Sequence, residues 1–260
     1  MGILYIVATP IGNLKDITFR AIETLKEVDL ILCEDTRQTI KLLNYYNISK
    51  PLISYFQHSK ISKIDYILNQ LKQGKKLALV TDAGTPGISD PGGKLIEIIT
   101  TRLPSFSIIP IPGPSALTAA LSISGLPADK FIFMGFPPSK KGREKFFKKI
   151  LESEYTVVFY ESAHRILKTL SQLNNLLKIQ NSLPKTKFVV CRELTKKFET
   201  IYRGNIEEII KTLESDKNNL KGEFVIIIHR SRTTLMRTRK DAEVISVNQR
   251  TYRRQSASTL

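Results

Sequence analysis

The sequence predicts an α/β protein in two domains, and three observations carry that reading. Short apolar runs rich in Ile, Val and Phe recur along the chain, separated by stretches whose apolar residues fall at helical spacing. Strand followed by helix, repeated, is the pattern of α/β architecture. The runs are apolar at nearly every position, as strands covered on both faces by helices are. Near residues 113–128, PGPSALTAALSISGLPAD inserts one helix and then turn residues between the first four strands and the last four.

In chain order, strands are expected at ILYIVAT (3–9), VDLILCE (28–34), KLALVTD (76–82), FSIIPIP (106–112), KFIFMGF (130–136), YTVVFYE (155–161), KFVVCRE (187–193) and EFVIIIH (223–229). Between them ITFRAIETLKEV, TIKLLNYY, ISKIDYILNQLKQG, KLIEIITTRL, SALTAALSISG, REKFFKKILESE and RILKTLSQLNNLLK carry apolar residues at helical spacing. The expected domains are therefore residues 1–115 and 116–230, with one continuous sheet as the alternative. Beyond Arg230 the periodicity stops, so 231–260 reads as a disordered tail, with a basic RNA-contacting arm as the alternative.

Forty Lys and Arg against 24 Asp and Glu give a net charge of +16. The tail holds seven basic and two acidic residues, which leaves +11 on the rest of the chain. A polyanionic partner is one reading of that excess; a chain rich in Lys, Ile and Asn throughout is the other. No apolar run approaches the ~20 residues of a membrane span. MGILYIVATPIGN reads as a first strand rather than a signal peptide, and Ile6 stands where a myristoylation signal needs Ser or Thr. Cys33 and Cys191 lie in apolar runs, as buried thiols do, and the three histidines have no metal-ligand spacing. These features point to a soluble cytoplasmic protein without a metal cluster or disulfide.

Three loops follow strand ends, where open α/β sheets bind ligands: ATPIGNL (8–14), TDAGTPGISDPG (81–92) and PIPGPSA (110–116). The second is glycine-rich, yet it lacks both the Gly-Lys-Ser/Thr of a phosphate loop and the spacing of a dinucleotide fingerprint. Asp90 is placed to cap a helix beginning at Pro91, a structural role. Gly84, Gly87 and Thr85-Pro86 let backbone groups approach a ligand closely. With Asp82 nearby and no cation supplied, a neutral or positively charged ligand suits the loop better than a triphosphate. S-Adenosylmethionine, a sulfonium cation without phosphate, meets that description.

The succession YIVATPIGNLKDIT, ILCEDTRQTIKLL, LVTDAGTPGISDPG, PIPGPSALTAAL, GLPADKFIFMGFPPSKKGR, FYESAHRI, CRELTKKFET and KGEFVIII resembles the small-subunit ribosomal RNA cytidine 2′-O-methyltransferases, within the tetrapyrrole (corrin/porphyrin) methylase class. It runs from about residue 3 to 229. The resemblance implies two α/β domains of tetrapyrrole-methylase type with S-adenosylmethionine in the cleft between them, a homodimer, and small-subunit ribosomal RNA or the assembled subunit as substrate. Carried over residue by residue, it implies cofactor contacts from Pro10, Asp82, Ala83, Gly84, Pro86, Ser115 and Ala116 in the first part of the chain. Tyr160, Leu194 and Gly222, together with Glu161, are the matching positions in the second. Core packing is the other reading of Tyr160 and Leu194. Two departures stand out. SYFQHSK (54–60) lacks the acidic and Asn-Glu residues usual around that histidine, and residues 231–260 do not resemble the helical C-terminal module of many members.

A 2′-hydroxyl must lose its proton during methyl transfer, so carboxylates at strand ends are candidate bases. Glu34, with Arg37 close behind, and Glu161 are the two foremost, followed by His164 and His58; each also has a structural reading. For RNA, Lys140, Lys141 and Arg143 in PPSKKGREK form the foremost basic patch, with Arg20, Arg37 and Arg165 in support. Tyr45, Tyr46 and Phe56 are candidates for base stacking or core packing. Methylation of a small tetrapyrrole and non-catalytic RNA binding are the competing functions.

Overall fold

A computed structural model describes residues 2–56, 59–90, 92–179 and 186–231. The first half alternates β1 (Ile3–Val7), α1 (Phe19–Glu27), β2 (Leu30–Cys33), α2 (Thr36–Tyr45), β3 (Leu52–Ser54), α3 (Ile61–Lys72), β4 (Lys76–Leu79), α4 (Gly92–Arg102) and β5 (Ser107–Ile111). The second comprises α5 (Ala116–Ser124), β6 (Phe131–Phe133), α6 (Arg143–Glu152), β7 (Thr156–Ser162), α7 (Ile166–Ile179), β8 (Thr186–Arg192), β9 (Thr200–Gly204), α8 (Ile206–Glu214) and β10 (Glu223–Arg230). The expected disordered tail falls outside the described residues apart from Ser231.

The first sheet runs β3-β2-β4-β1-β5 with every pairing parallel. Its apolar strands are covered on both faces. Leu4, Leu32, Leu77 and Leu79 pack with Ile67 and Leu71 of α3 and Leu95 and Ile99 of α4. On the opposite face Val7, Ile31, Cys33 and Ala78 pack with Ala21 and Leu25 of α1 and Leu42 and Leu43 of α2. The chain therefore leaves β1 over one face toward β2, and leaves the adjacent β4 over the other face toward β5. A crevice opens beyond the carboxyl ends of such neighbouring strands.

The second sheet runs β6-β7-β10-β8-β9, and only β6–β7 is parallel. Helices α6, α7 and α8 cover one face through Phe147, Leu170 and Ile209. Ala120 and Leu121 of α5, with Ile11 from the first half, cover the other. The eight expected strands and seven helices are all present. The structure adds β3, β9 and α8. Helix α8 begins at Asn205, whose side chain accepts from the backbone N–H of Glu208, and it buries Ile206, Ile209 and Leu213. No helix among the described residues is long and apolar enough to cross a membrane. Both cysteines are buried and free, and burial pushes the Cys191 thiol up to about 12.

Candidate functional site

The loops after β1, β4 and β5 are tied into one surface by backbone bonds. Thr9 and Gly84 exchange N–H···O bonds of 2.9 and 3.0 Å, Ala8 donates to the Ile111 carbonyl at 3.2 Å, and the Thr9 hydroxyl donates to the Thr81 carbonyl at 3.0 Å. Gly84 sits at φ +87°, a left-handed conformation open to glycine. Asp90 accepts from the N–H groups of Gly87 at 2.6 Å and Gly92 at 2.9 Å, which closes the glycine-rich loop and fixes the start of α4. Pro91 lies outside the described residues.

Facing these loops are the end of β7, the loop after β8 and the turn into β10. That second wall is also tightly specified. A Cβ on Gly222 would run into the Glu193 side chain, whose carboxylate accepts from the Glu223 N–H at 3.0 Å and from Lys196 at 2.8 Å. Burial pushes Glu193 up, but Lys196 and the Glu223 N–H outweigh it and hold the carboxyl below its usual range. Glu193 and Thr195 both have positive φ, strain typical of loops that present functional groups. The Thr195 hydroxyl accepts from the Asn13 N–H at 3.1 Å, joining the two halves beside the cavity lining residue Leu194.

Between the walls lies a cavity of about 610 Å³, within the ~300–1,000 Å³ span of small-molecule sites. Glu34, Asp82, Ala83, Gly84, Ser115 and Ala116 line it from the first half; Tyr160, Glu161, Leu194 and Gly222 line it from the second. Its wall is acidic. Lys196, the one lysine or arginine among the described lining residues, is held by Glu193 and Glu223 at 2.8 Å each. Partial desolvation and then the Asp82 charge raise the Glu34 carboxyl, whose oxygen accepts from the Thr81 hydroxyl at 3.3 Å. Asp82 is raised by partial desolvation, with Asp35 adding, while it accepts from the Asp35 N–H at 3.2 Å. Desolvation raises the Tyr160 phenol against a bond to the Leu117 backbone.

Other expected site residues fall elsewhere. Pro10 is buried outside the cavity lining, and Pro86 lines a smaller hollow beside it with Glu34, Thr81 and Asp90. His164 lines the main cavity, whereas His58 lies outside the described residues. The Glu161 carboxylate is fully buried and surrounded: Arg165 at 2.7 Å, Arg143 at 4.0 Å, the Thr169 hydroxyl at 2.5 Å and the Ser162 N–H at 2.8 Å. A group held this way anchors two guanidinium groups beside the cavity. Arg143 belongs to the same buried cluster. Its side chain is 7% exposed and donates to Gln172, Thr169 and the Pro138 carbonyl. Arg165 spends its guanidinium on Glu161, the Ser162 hydroxyl and the Pro137 carbonyl.

The remaining basic candidates stay at the surface. Lys140 and Lys141 are exposed in the turn before α6. Arg20 donates to the Pro110 carbonyl at 2.7 Å, and the 86%-exposed Arg37 pairs with Asp35 at 2.7 Å. Tyr45 is exposed and edge-on to Tyr46, whose hydroxyl donates to the Leu14 carbonyl. Thr85 lines the cavity with the rest of its loop, and Ile11, Ile88, Phe136, Glu193 and Lys196 are lining residues that the sequence did not single out.

The chain matches the family model described as Tetrapyrrole (Corrin/Porphyrin) Methylases over residues 3–210. It is 46% identical over 229 residues to the "Ribosomal RNA small subunit methyltransferase I" of Synechocystis sp., covering 88% of this chain and 79% of that protein. The protein of the same name from Thermotoga maritima is 45% identical over 228 residues, covering 88% and 98%. Among solved structures, a cobalt precorrin-4 methyltransferase of cobalamin biosynthesis superposes with a TM-score of 0.62 at 18% identity, covering 87% of this chain and 94% of that one. A uroporphyrin-III-C-methyltransferase from Thermus thermophilus gives 0.59 at 17% identity, covering 87% and 94%.

Proposed function

The chain belongs to the tetrapyrrole (corrin/porphyrin) methylases, and from that premise we propose that it is an S-adenosylmethionine-dependent methyltransferase acting on the ribose 2′-hydroxyl of a cytidine in small-subunit ribosomal RNA. The observation that carries the reading is the acidic cavity on a basic body. Its wall has no unpaired lysine or arginine among the described lining residues, a poor setting for a phosphate and a good one for a sulfonium. A bound S-adenosylmethionine supplies a methyl group activated by positively charged sulfur. Asp82, Ala83, Gly84, Ser115 and Ala116 would hold it from one wall, and Tyr160, Leu194 and Gly222 from the other. The first N–H groups of α5, which Ser115 does not cap with its side chain, offer donors to a carboxylate.

Glu34 takes the proton from the ribose hydroxyl. Its raised carboxyl pKa brings it toward the operating pH, where a base works best, and such a base contributes ~10²–10⁴-fold. The walls supply positioning, which for a displacement at carbon carries much of the remaining acceleration. Ile11, Leu194 and Val225 keep part of the wall apolar. Lys140 and Lys141 hold phosphates of the RNA. The protein acts in the cytoplasm as a homodimer, a state supported by the exposed Phe131 and Ile132 of edge strand β6.

The test offers tritiated cofactor with unmethylated small ribosomal subunits, naked RNA or a tetrapyrrole precursor. Label in RNA is expected. Label in the macrocycle alone would sink the proposal.

A further inference from the structure

At the rim of the cavity stands Phe136, half exposed at 50% although it lines the site. An aromatic ring left half in water gives up apolar burial that an occupant of the site would restore. Its backbone is held firmly. Gly135 turns out of the sheet with φ +63° while its carbonyl accepts from the Tyr160 N–H at 2.9 Å. Just after the ring, the carbonyls of Pro137 and Pro138 accept from Arg165 at 2.9 Å and Arg143 at 3.1 Å. Both guanidinium groups are anchored on buried Glu161. The ring itself rests edge-on against Tyr160, centroids 5.5 Å apart. Thus the buried charge cluster holds the backbone that presents an exposed phenyl ring.

What the ring waits for follows from its neighbours. Lys140 and Lys141 stand exposed four and five residues further along the same segment, so a strand whose phosphates they hold passes the ring. Ile88, 45% exposed, lines the same cavity from the first half, and its neighbour Ser89 lies against Gly135. We infer that Phe136 is the stacking platform for the unpaired pyrimidine base of the methyl-accepting nucleotide, with Ile88 opposite. The inference rests on the RNA reading above and names the base subsite within it. Stacking on an aromatic ring is how proteins hold a base taken out of its helix. Arg143 and Arg165 are then positioning residues for the platform.

The test compares Phe136→Leu, Phe136→Ala and Phe136→Tyr with the wild type. It measures methyl transfer to unmethylated small ribosomal subunits and, separately, cofactor affinity by equilibrium dialysis and oligomeric state by size-exclusion chromatography. Loss of one stacked base corresponds to a fall of roughly 5- to 150-fold in kcat/KM for the Leu and Ala variants. Phe136→Tyr should keep activity near wild type, and cofactor affinity should hold within about twofold in all three variants. Full activity in Phe136→Leu overturns the inference. So does a loss of cofactor affinity that parallels the loss of rate, which would make the ring a cofactor contact, or a change in oligomeric state, which would make it a subunit contact. If the wild type labels no RNA, the functional reading fails and the base subsite with it; if the wild type labels RNA while the Leu variant is unimpaired, only the base subsite fails.

Discussion

Removing the Glu161 carboxylate is the sharpest perturbation of the wall that carries Tyr160 and Phe136. In Glu161→Ala, Arg143 keeps its bonds to Gln172, Thr169 and Pro138 but loses its carboxylate while its side chain remains 7% exposed. Arg165, at 28% exposure, recovers part of its hydration. Breaking a buried pair by deleting one partner costs ~3–5 kcal/mol, and the partial exposure of Arg165 places this case near the lower end, about 3 kcal/mol. For a chain of this size that corresponds to a fall in Tm of about 6–12 °C. Arg143→Met is milder, because Glu161 keeps Arg165 at 2.7 Å, the Thr169 hydroxyl and the Ser162 N–H. What is lost is a set of hydrogen bonds, about 1–2 kcal/mol. Urea unfolding of the two variants and of Arg143→Met/Glu161→Ala measures the order. The double variant should cost less than the sum of the two single changes. A Glu161→Ala protein within about 1 kcal/mol of wild type, or one more stable than Arg143→Met, would refute the charge-anchor assignment.

Three further outcomes are expected. Glu34→Gln should lower kcat by ~10²–10⁴-fold at saturating cofactor and RNA. Because partial desolvation and Asp82 raise this carboxyl, the acid limb of the wild-type profile should lie above the ordinary glutamate value of about 4.3 and flatten in the variant. The same shift means that the stability linked to the protonated carboxyl is complete below the unfolded pKa and lost as pH rises through the folded one. Glu34→Gln should therefore raise Tm at neutral pH and leave it unchanged in acid, as scanning calorimetry can check. Gly222→Ala, at φ +99° and against Glu193, should lose at least about 1 kcal/mol of stability together with cofactor affinity, whereas unaltered dialysis curves would remove Gly222 from the wall. Lys140→Ala/Lys141→Ala should reduce the salt slope of RNA binding by about two while leaving cofactor binding unchanged, read by filter binding across a salt series.

Much of this architecture was legible because buried parallel strands announce themselves as continuous apolar runs, and the three loops at strand ends marked the first wall of the site. Strand β3 leaves no apolar run in the sequence because it spans only Leu52–Ser54 and follows a proline. Helix α8 was readable in principle: Asn205 precedes apolar residues at helical spacing, with Glu208 three positions on. The antiparallel pairing of the second sheet was not, since a strand buried on both faces has the same composition in either direction. The burial of Arg143 is hidden by its company. KKGREK reads as surface, yet helical phase places residue 143 with Phe147, Ile150 and Leu151 on the buried face of α6. Glu161 follows the same logic in a strand, alternating with Val157 and Phe159 on the side facing α6 and α7. Charge at those positions comes with a buried partner, and only the fold brings the two together. Phe136 carried no periodic signal at all, because its exposure depends on the Gly135 turn.

The central claim is methyl transfer to a ribose oxygen, and the position of the label decides it. Tritiated RNA from the reaction with unmethylated small ribosomal subunits is digested with alkali, which cleaves only where a free 2′-hydroxyl can attack the adjacent phosphate. A 2′-O-methyl cytidine blocks that cleavage, so the account predicts label in an alkali-stable dinucleotide with cytidine on its 5′ side. Label recovered in mononucleotides would place the methyl group on a base and contradict it.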